Sequence, residues 1–320
     1  MVGRRAELNT LTSMSLPPPP PPSGRTAEPA GDQAVCYRHP NRYAGRRCTR
    51  CGKWACSECL VQATVGSHCL DCAKAAKPDV ATRARYWTAR QPTLVTYSLM
   101  AINALVFIWV AMQDPDSLAS RSITRGQAQL GLSADIIDTG AIFRFSDGFY
   151  VAEPDQWYRV VTSGFLHFGL VHLLFNMWLL FLLGQLLEPA IGRVRFALIY
   201  FASLLGGSAG AMLIQPNGFH GGASGAVFGL MGAAFVGYRV RGVNPLTTGI
   251  GTTLLLNLFI TFTIPGISIG GHLGGVVAGA FCGYIVLAPG HKGYPSWASY
   301  AAPLAVIAAS TVLTVYAIKA

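Results

Sequence analysis

The chain is 320 residues long, 52% of it hydrophobic and only 12% charged, with a formal net charge of +10. This composition lies outside the usual range of a soluble domain and indicates membrane-spanning segments. Because Glu188 is the only carboxylate after Trp157, we interpret the positive charge as a signal of membrane topology and not as a nucleic-acid-binding surface.

The first 33 residues have a basic start but lack the apolar core of a cleavable secretory signal. The N-terminus is therefore expected to stay in the cytoplasm. An uninterrupted proline run from Pro17 to Pro22 favours a polyproline II spacer within a disordered tail at 1–33. A ligand for a proline-binding domain is the alternative interpretation.

Seven of the eight cysteines lie close together, in the motifs CYRH, CTRC, CSEC and CLDC. Together with one histidine they make four pairs of ligands, each with a two-residue gap, which is the number that two tetrahedral zinc ions require. A reducing cytoplasm argues against disulfides. The predicted ligands are Cys36, His39, Cys48, Cys51, Cys56, Cys59, Cys69 and Cys72, with His68 as an alternative to Cys69.

Only four residues separate the second ligand pair from the third, which is short for folding both pairs onto one ion. We therefore favour an interleaved arrangement, with the first and third pairs on one zinc ion and the second and fourth on the other. Nearby basic residues are expected to balance the thiolate charge; they are Arg46, Arg47, Arg50 and Lys53. The segment 34–75 resembles B-box-type zinc domains, which leaves room for a cytoplasmic partner that the sequence does not identify.

A basic linker at 76–93 precedes seven uncharged apolar segments, each near the ~20 residues that a helix needs to cross the hydrocarbon core. They lie at 94–112, 167–187, 196–214, 223–238, 246–263, 270–288 and 300–318. The basic residues that precede the first segment or lie between the later ones fall on one side, which the positive-inside rule places in the cytoplasm. These residues are Arg83, Arg85, Arg90, Arg193, Arg195, Arg239, Arg241 and Lys292. The loop 113–166, with seven carboxylates, is then external.

Several polar residues lie within these apolar segments, where they mark interior or functional positions. His167, His172 and Asn176 open the second segment, and the spacing of four stacks the last two on one helix face. Ser224 opens the fourth segment, and His272 lies at a similar depth in the sixth. The alternative for each residue is packing or a hydrogen bond that only stabilises the fold. Cys282, alone in an apolar segment, is interpreted as a packing residue.

Glycines recur at intervals of four beside Ser224 and His272, and such stripes let helix backbones approach closely. The stripes contain Gly221, Gly225 and Gly229 in one segment, and Gly271, Gly275, Gly279 and Gly283 in the other. Close approach is what a serine nucleophile and a histidine base on different helices need to reach ~2.6–3.2 Å. Glu188 lies at the cytoplasmic end, too far for a third member, so the sequence predicts a Ser-His dyad. His172, Asn176 and the Ser224 backbone N–H are candidate donors to an oxyanion.

Five motifs occur in the order found in one known family: QWYRVVTSGFLH, HFGLVHLLFN, LGQLLEPAIGRVRF, GASG and GHLGG. On these motifs the chain resembles the rhomboid family of intramembrane serine proteases over about 94–288. The resemblance implies that Ser224 is the nucleophile, His272 the general base, and His172 with Asn176 the oxyanion side chains. It also implies supporting roles, which fall to His167, Gly222, Trp157 and Arg159, the last two in a membrane-embedded loop.

One position departs from the family pattern. Many members have a tyrosine four residues after the nucleophile, packed on the catalytic histidine, and here that position is Phe228. The ring can still stack, but the hydroxyl is absent, so a hydrogen bond behind the dyad is in doubt.

The expected fold is an all-α polytopic membrane protein, with a rhomboid-like six-helix core at 94–288 and a seventh C-terminal transmembrane helix within 289–320. A small two-zinc cytoplasmic domain precedes it. The expected function is hydrolysis of transmembrane protein substrates without a catalytic cofactor, in a bacterial plasma membrane, with the active site open to the external side. An inactive rhomboid-like protein that binds membrane clients is the alternative. A transporter is disfavoured, because it predicts charged or broken helices at the bilayer midplane.

Overall fold

The computed structural model describes residues 34–63, 65–76, 92–119, 122–287 and 295–320. The predicted proline-rich tail, most of the predicted linker and the start of the predicted C-terminal segment lie outside the described residues, together with Arg83, Arg85, Arg90 and Lys292. The chain divides into two compact units, Met1–Val80 and Ala81–Ala320.

In its described residues, the first unit contains three short antiparallel strand pairs and one α-helix. Strand β1 (Val35–Cys36) pairs with β2 (His39–Tyr43), β3 (Arg46–Arg47) with β4 (Trp54–Ala55), and β5 (Leu60–Gln62) with β6 (Ser67–Cys69), before helix α1 (Leu70–Ala75). Three of the five residues in its buried apolar cluster are cysteines. A core this small does not stabilise a fold alone, so the cysteine ligands must supply the rest.

The part of the second unit that the structure describes contains seven long helices, one at each predicted apolar segment. They are α2 (Leu94–Gln113), α6 (Leu170–Ile191), α7 (Arg193–Ile214), α8 (Ser224–Val240), α9 (Gly249–Thr263), α10 (Ile269–Leu287) and α11 (Ala298–Lys319). Five of them are long and apolar enough to cross a membrane. Helices α8 and α9 are shorter, with 17 and 15 residues.

Helix α6 begins later than the apolar pattern predicts. Gly169 has φ of 87°, and the helix starts at the next residue. His167, which the sequence places in the second span, therefore lies in the segment before the helix, whereas His172 and Asn176 lie on it. At its other end α6 is joined to α7 through Gly192 alone, whose φ of 85° gives a tight turn that glycine adopts readily.

Helix α10 packs backbone to backbone against α8, through the glycine stripes that the sequence singled out. A Cβ atom at Gly275 or Gly279 would clash with the backbone of Gly225 or Gly229. Gly221, assigned to the same stripe, lies outside α8 and against Leu166. The stripe is thus shorter than predicted but makes the expected close contact.

The opposite face of α10 makes a second glycine contact, with α7, that the sequence analysis did not single out. The residues involved are Gly206 and Gly210 on α7 and Gly270 and Gly274 on α10. Added Cβ atoms at these positions would meet backbone atoms of the facing helix. Helix α10 is therefore held between two helices with almost no side-chain volume on either side.

The last helix, α11, packs on α7. Arg195 donates from Nε to Ser299 Oγ at 2.7 Å, and its guanidinium lies 4.5 Å from the ring centroid of Tyr300. At the other end of α11, Lys319 Nζ lies 2.7 Å from Asp138 Oδ1. The seventh helix is therefore attached to the helical unit at both ends.

The connection between α2 and α6 is folded. It contains short helices α3 (Arg125–Leu130), α4 (Ala134–Asp138) and α5 (Arg159–Thr162), and a hairpin of β7 (Ala141–Phe145) and β8 (Gly148–Ala152). The fully buried Arg159 side chain joins these pieces by donating to the carbonyls of Ala128 and Gly131 at 2.7 and 2.8 Å and to Gln156 Oε1. Arg159 thus organises the loop that the resemblance assigns it to.

Glu188, the lone carboxylate of the later chain, caps the start of α2. Its two oxygens accept from the backbone N–H groups of Val95 and Thr96, at 3.0 and 2.8 Å, and from the Thr96 hydroxyl at 2.7 Å. A carboxylate at a helix N-terminus satisfies free donors and interacts favourably with the helix dipole. These hydrogen bonds compensate the free-energy cost of burying the Glu188 carboxylate, since the residue is only 2% exposed.

Candidate active site and metal clusters

Ser224 and His272 lie at the same end of the bundle and contact each other. Ser224 is the first residue of α8, and His272 lies in the first turn of α10. The distance between Ser224 Oγ and His272 Nε2 is 2.8 Å. The close glycine contact of the two helices makes this distance attainable, and it lies within the range of a nucleophile and its base.

Phe228 lies one helical turn after Ser224 and stacks on the histidine. Its ring centroid is 3.9 Å from that of His272, with 15° between the planes. This is the packing that the sequence analysis expected of the phenylalanine ring. The stack restrains the tilt of the imidazole ring without a hydrogen bond.

The second ring nitrogen of His272 has a partner that the sequence analysis missed. His272 Nδ1 lies 2.7 Å from Oγ1 of Thr261, on α9. A threonine in an apolar run is most often a residue that bonds the carbonyl one turn back, and Thr261 does so as well. The sequence contains no signal that would separate these two roles.

His172 approaches the dyad from α6. Its Nδ1 accepts a hydrogen bond from the backbone N–H of Phe168 at 3.3 Å, so in the neutral ring Nε2 carries the hydrogen. An added Cβ at Gly222, whose φ is 134°, would lie 3.2 Å from His172 Nε2 and 3.4 Å from Ser224 Oγ. Gly222 therefore leaves the space between His172 and the serine free.

Asn176 is 2% exposed and lies one turn after His172. Its side-chain Nδ2 donates to the carbonyl of His172 at 3.0 Å, a bond within α6. An Asn Nδ2 has two hydrogens, so one remains for another acceptor. Its role as an oxyanion donor stays a prediction.

Of the other predicted supporting residues, His167 lies against His172, whereas Trp157 and Arg159 make their described contacts elsewhere. His167 is 1% exposed, and its ring centroid is 5.1 Å from that of His172. Among the described residues neither nitrogen of His167 has a hydrogen-bond partner. Trp157 packs against the apolar core, and Arg159 bonds within the loop. Their supporting roles stay predictions.

A cavity of about 40 Å³ lies beside the dyad. Small and polar residues line it, among them Ser163, Ser208, His220, Gly222, Ser224 and His272. A polar cavity of this size has room for water. Hydrolysis requires water at the serine, so the cavity is relevant to the chemistry of the site.

The cysteines of the first unit form two groups of four ligands. The groups are Cys36, His39, Cys56 and Cys59, and Cys48, Cys51, Cys69 and Cys72. Within each group the ligand atoms all lie within 4.8 Å of one another. This is the interleaved arrangement that the short spacing favours, and it includes Cys69 in place of His68.

The distances in both groups suit a tetrahedral metal site. His39 Nδ1 lies 3.5 Å from the sulfurs of Cys56 and Cys59, and the sulfurs of Cys51 and Cys69 are 3.7 Å apart. Two thiolates on one tetrahedral zinc ion lie about 3.8 Å apart, given Zn–S bonds of about 2.3 Å. The two groups can therefore hold metal ions without rearrangement.

The basic residues around these groups have varied contacts. Arg50 reaches the carbonyl of Cys72 at 3.5 Å. Arg47 lies over the Trp54 ring, with its guanidinium carbon 4.3 Å from the centroid. Of the expected charge-balancing residues, Arg50 is the one whose side chain has a described hydrogen bond to a ligand residue.

Comparison with known proteins matches residues 154–289 to the Rhomboid domain. Over 203 residues the chain is 35% identical to Rhomboid protease GluP of Bacillus subtilis, covering 62% of this chain and 36% of that protein. It is 32% identical to RHOMBOID-like protein 4 of Arabidopsis thaliana, covering 45% and 38%. The rhomboid-type protein YdcA of Bacillus subtilis is 32% identical, with 43% and 72% covered. The match thus spans less than two fifths of the length of the first two relatives.

Proposed function

The chain belongs to the rhomboid family, and from this premise we propose that it is a serine protease that cleaves other membrane proteins. The bond cleaved lies in or beside a transmembrane segment of the substrate. The observation that carries the proposal is the distance of 2.8 Å between Ser224 Oγ and His272 Nε2.

The geometry supports a covalent mechanism through Ser224. As Ser224 Oγ attacks the substrate carbonyl, His272 Nε2 accepts the serine proton and then gives it to the leaving amine. Water attacks the resulting acyl-enzyme, and His272 again accepts and returns the proton. The cavity beside the dyad is a route by which water reaches Ser224.

Two kinds of donor support stabilisation of the oxyanion. The N–H groups in the first turn of α8 have no intrahelical acceptor, and the helix dipole favours negative charge there. His172 adds an Nε2–H that faces the space before Ser224, since its Nδ1 is occupied by the Phe168 N–H. Preorganised donors of this kind stabilise the transition state of acyl transfer.

The family and the apolar helices make the chain an integral membrane protein. We propose that the dyad opens to the external side of a bacterial plasma membrane, with the N-terminus in the cytoplasm and the lipid bilayer around the helices. Arg193 and Arg195 lie at the end of α6 and α7 opposite the dyad, as do Arg239 in the last turn of α8 and Arg241 directly after it. Basic residues at that end support this orientation.

For the first unit we propose two structural zinc ions, one in each ligand group. Sets of four thiolates, or of three thiolates and an imidazole, at tetrahedral distances are typical of structural zinc sites. Bound zinc would fold this unit and take no part in the hydrolysis. We also propose that this unit binds a cytoplasmic partner.

The test of the protease proposal uses purified protein and a model transmembrane substrate. We expect Ser224→Ala and His272→Ala each to abolish cleavage, because the two side chains act as one unit. Ser310→Ala, a buried serine on α11, is the matched control and should cleave normally. Thermal melting in detergent checks that all variants remain folded.

Retained turnover in Ser224→Ala would contradict the mechanism. A wild-type protein that binds membrane clients but cleaves none would instead favour the client-binding alternative. Proteomics of membrane-protein fragments released from cells with the wild type or Ser224→Ala would then identify the natural substrates.

A further inference from the structure

Thr261 lies in α9 and is 1% exposed. Its Oγ1 makes two short contacts, one of 2.7 Å to the carbonyl of Asn257 and one of 2.7 Å to Nδ1 of His272. The side chain thus connects a third helix to the dyad, on the side of the imidazole ring away from Ser224.

The direction of these two hydrogen bonds follows from counting hydrogens. A threonine hydroxyl has one hydrogen, and a carbonyl oxygen can only accept. The contact with Asn257 therefore uses the Thr261 hydrogen, and Oγ1 must accept in its contact with His272. The hydrogen in that contact belongs to His272 Nδ1.

We propose that Thr261 is a positioning residue that holds His272 in its reactive tautomer, an inference that rests on the proposed function. With the hydrogen on Nδ1, Nε2 has a free lone pair directed at Ser224 Oγ. The opposite tautomer would present an Nε2–H to the serine and could not accept its proton. Thr261 therefore selects the form of His272 that acts as a base.

Phe228 cannot make this selection. A 180° rotation of the imidazole ring about its bond to Cβ leaves the ring plane, and hence the stack on Phe228, unchanged. The same rotation exchanges the positions of ring nitrogens and carbons, and it would break the bond to Thr261. Stacking therefore restrains the tilt of the ring, whereas Thr261 determines its rotation.

The bond also strengthens during the reaction. When Nε2 takes the serine proton, the ring becomes positive, and hydrogen bonds from a charged donor are shorter and stronger. In serine proteases with a triad, a buried carboxylate orients the histidine and stabilises its charge. Here the neutral Thr261 hydroxyl, which itself donates to the Asn257 carbonyl, orients the histidine and stabilises its positive charge. Its electrostatic effect is smaller than that of a carboxylate.

Three substitutions test the proposal. Thr261→Val keeps the shape of the side chain but removes the acceptor, and Thr261→Ser restores the hydroxyl. The matched control is Thr263→Val, because exposed Thr263 makes the same type of bond to the carbonyl of Phe259 on the same helix. Each variant is purified as the full chain and assayed with the model transmembrane substrate.

We expect Thr261→Val to lower kcat by about 10- to 100-fold, the effect of losing one hydrogen bond to a charged group, with KM changed less than about twofold because the substrate contacts remain. Thr261→Ser should have a kcat within about threefold of the wild-type value, because its hydroxyl preserves the hydrogen bond to His272. The rates at which the variants react with a fluorophosphonate should follow the same order as their kcat values. In that reaction Ser224 Oγ bonds to phosphorus as fluoride leaves, so it measures activation of the serine without substrate binding.

A direct readout is the NMR signal of the hydrogen on His272 Nδ1 in protein with ¹⁵N-labelled histidine. The signal should be present in the wild type and Thr261→Ser and lost by exchange in Thr261→Val. Wild-type kcat in Thr261→Val, or a loss in Thr261→Ser as large as in Thr261→Val, would overturn the proposal. An equal loss in Thr263→Val would do the same.

Failure of the proposed function gives a different pattern. A wild type that neither cleaves the substrate nor reacts with the fluorophosphonate would overturn the protease function. The Nδ1 signal and its response to Thr261→Val would still decide whether the hydrogen bond exists and in which direction it runs.

Discussion

His172 and Asn176 differ in whether their side-chain N–H hydrogens are already used in hydrogen bonds within the protein. The single ring hydrogen of His172 faces the space before Ser224, while one hydrogen of Asn176 is used within α6. At the scale of single residues, the structure thus supports the oxyanion role of His172 more directly. Asn176 can contribute to stabilisation of the oxyanion only through its second Nδ2 hydrogen.

We predict that His172→Ala and Asn176→Ala each lower kcat by about 10²–10³, the usual effect of losing one oxyanion donor. The measurement is turnover of the model substrate, with thermal melting as a check of folding. Asn103→Ala is the matched control, since buried Asn103 makes the same type of bond, at 2.8 Å to the carbonyl of Leu99. If Asn103→Ala and Asn176→Ala lose activity to the same extent, Asn176 has only a structural role.

The sequence predicts the candidate site well where a motif names the residue. Ser224, His272 and His172 lie together as their motifs imply. Thr261 could not be predicted, because its contact with His272 depends on the rotation of α9 against α10, and an apolar helix surface does not encode that rotation. His167 was placed in the wrong element because the positive φ of Gly169 delays the start of the helix.

At the scale of elements, the distance between Ser224 and His272 depends on the glycine contact of α8 and α10. We predict that Gly279→Ala lowers kcat by about 100-fold or more, since a displacement of about 1 Å in a reacting group can have that effect. The added methyl group would clash with the backbone of Gly229 and separate the helices. Position 279 is two turns from His272, so the effect passes through the helix.

Gly249→Ala is the control for this prediction. Gly249 also lies in an apolar helix, α9, but an added Cβ there meets no atom within 4 Å. Its activity should equal that of the wild type. A Gly279→Ala variant with wild-type kcat would show that the helices can shift without moving the dyad.

The predicted elements were most accurate for the long helices, because uninterrupted apolar runs bounded by charges leave few alternatives. Within the loop before α6 the sequence analysis predicted no hairpin, although β7 and β8 alternate in exposure. The loop was interpreted from its carboxylates alone. The contact of α10 with α7 is also absent from the sequence prediction, since its glycines lie on a second face of α10.

At the scale of the whole molecule, the cysteine-rich unit and the helical unit are separate in the chain. We predict that a chain starting near Thr82 inserts into membranes and cleaves the model substrate, because the dyad and its partners lie within the helical unit. An inserted but inert truncated enzyme in detergent would contradict this modular arrangement.

The segment 34–76 alone is predicted to bind about two zinc ions and to unfold when a chelator removes them, since metal binding supplies most of the folding free energy of such domains. Circular dichroism and metal analysis measure both properties. The double substitution Cys51→Ser and Cys72→Ser should leave about one zinc ion bound, because both cysteines belong to the same ligand group. An isolated segment that stays folded without metal would contradict the prediction.

The cap that Glu188 provides to α2 has a consequence for biosynthesis. The acceptor lies 92 residues after Thr96, and a ribosome that adds about 5–20 residues per second needs about 5 to 20 s to reach it. During that interval the N–H groups of Val95 and Thr96 lack this acceptor, and water at the membrane surface can take its place. Helix α2 can therefore complete this cap only after α6 has been made, although α2 leaves the ribosome before α6 does.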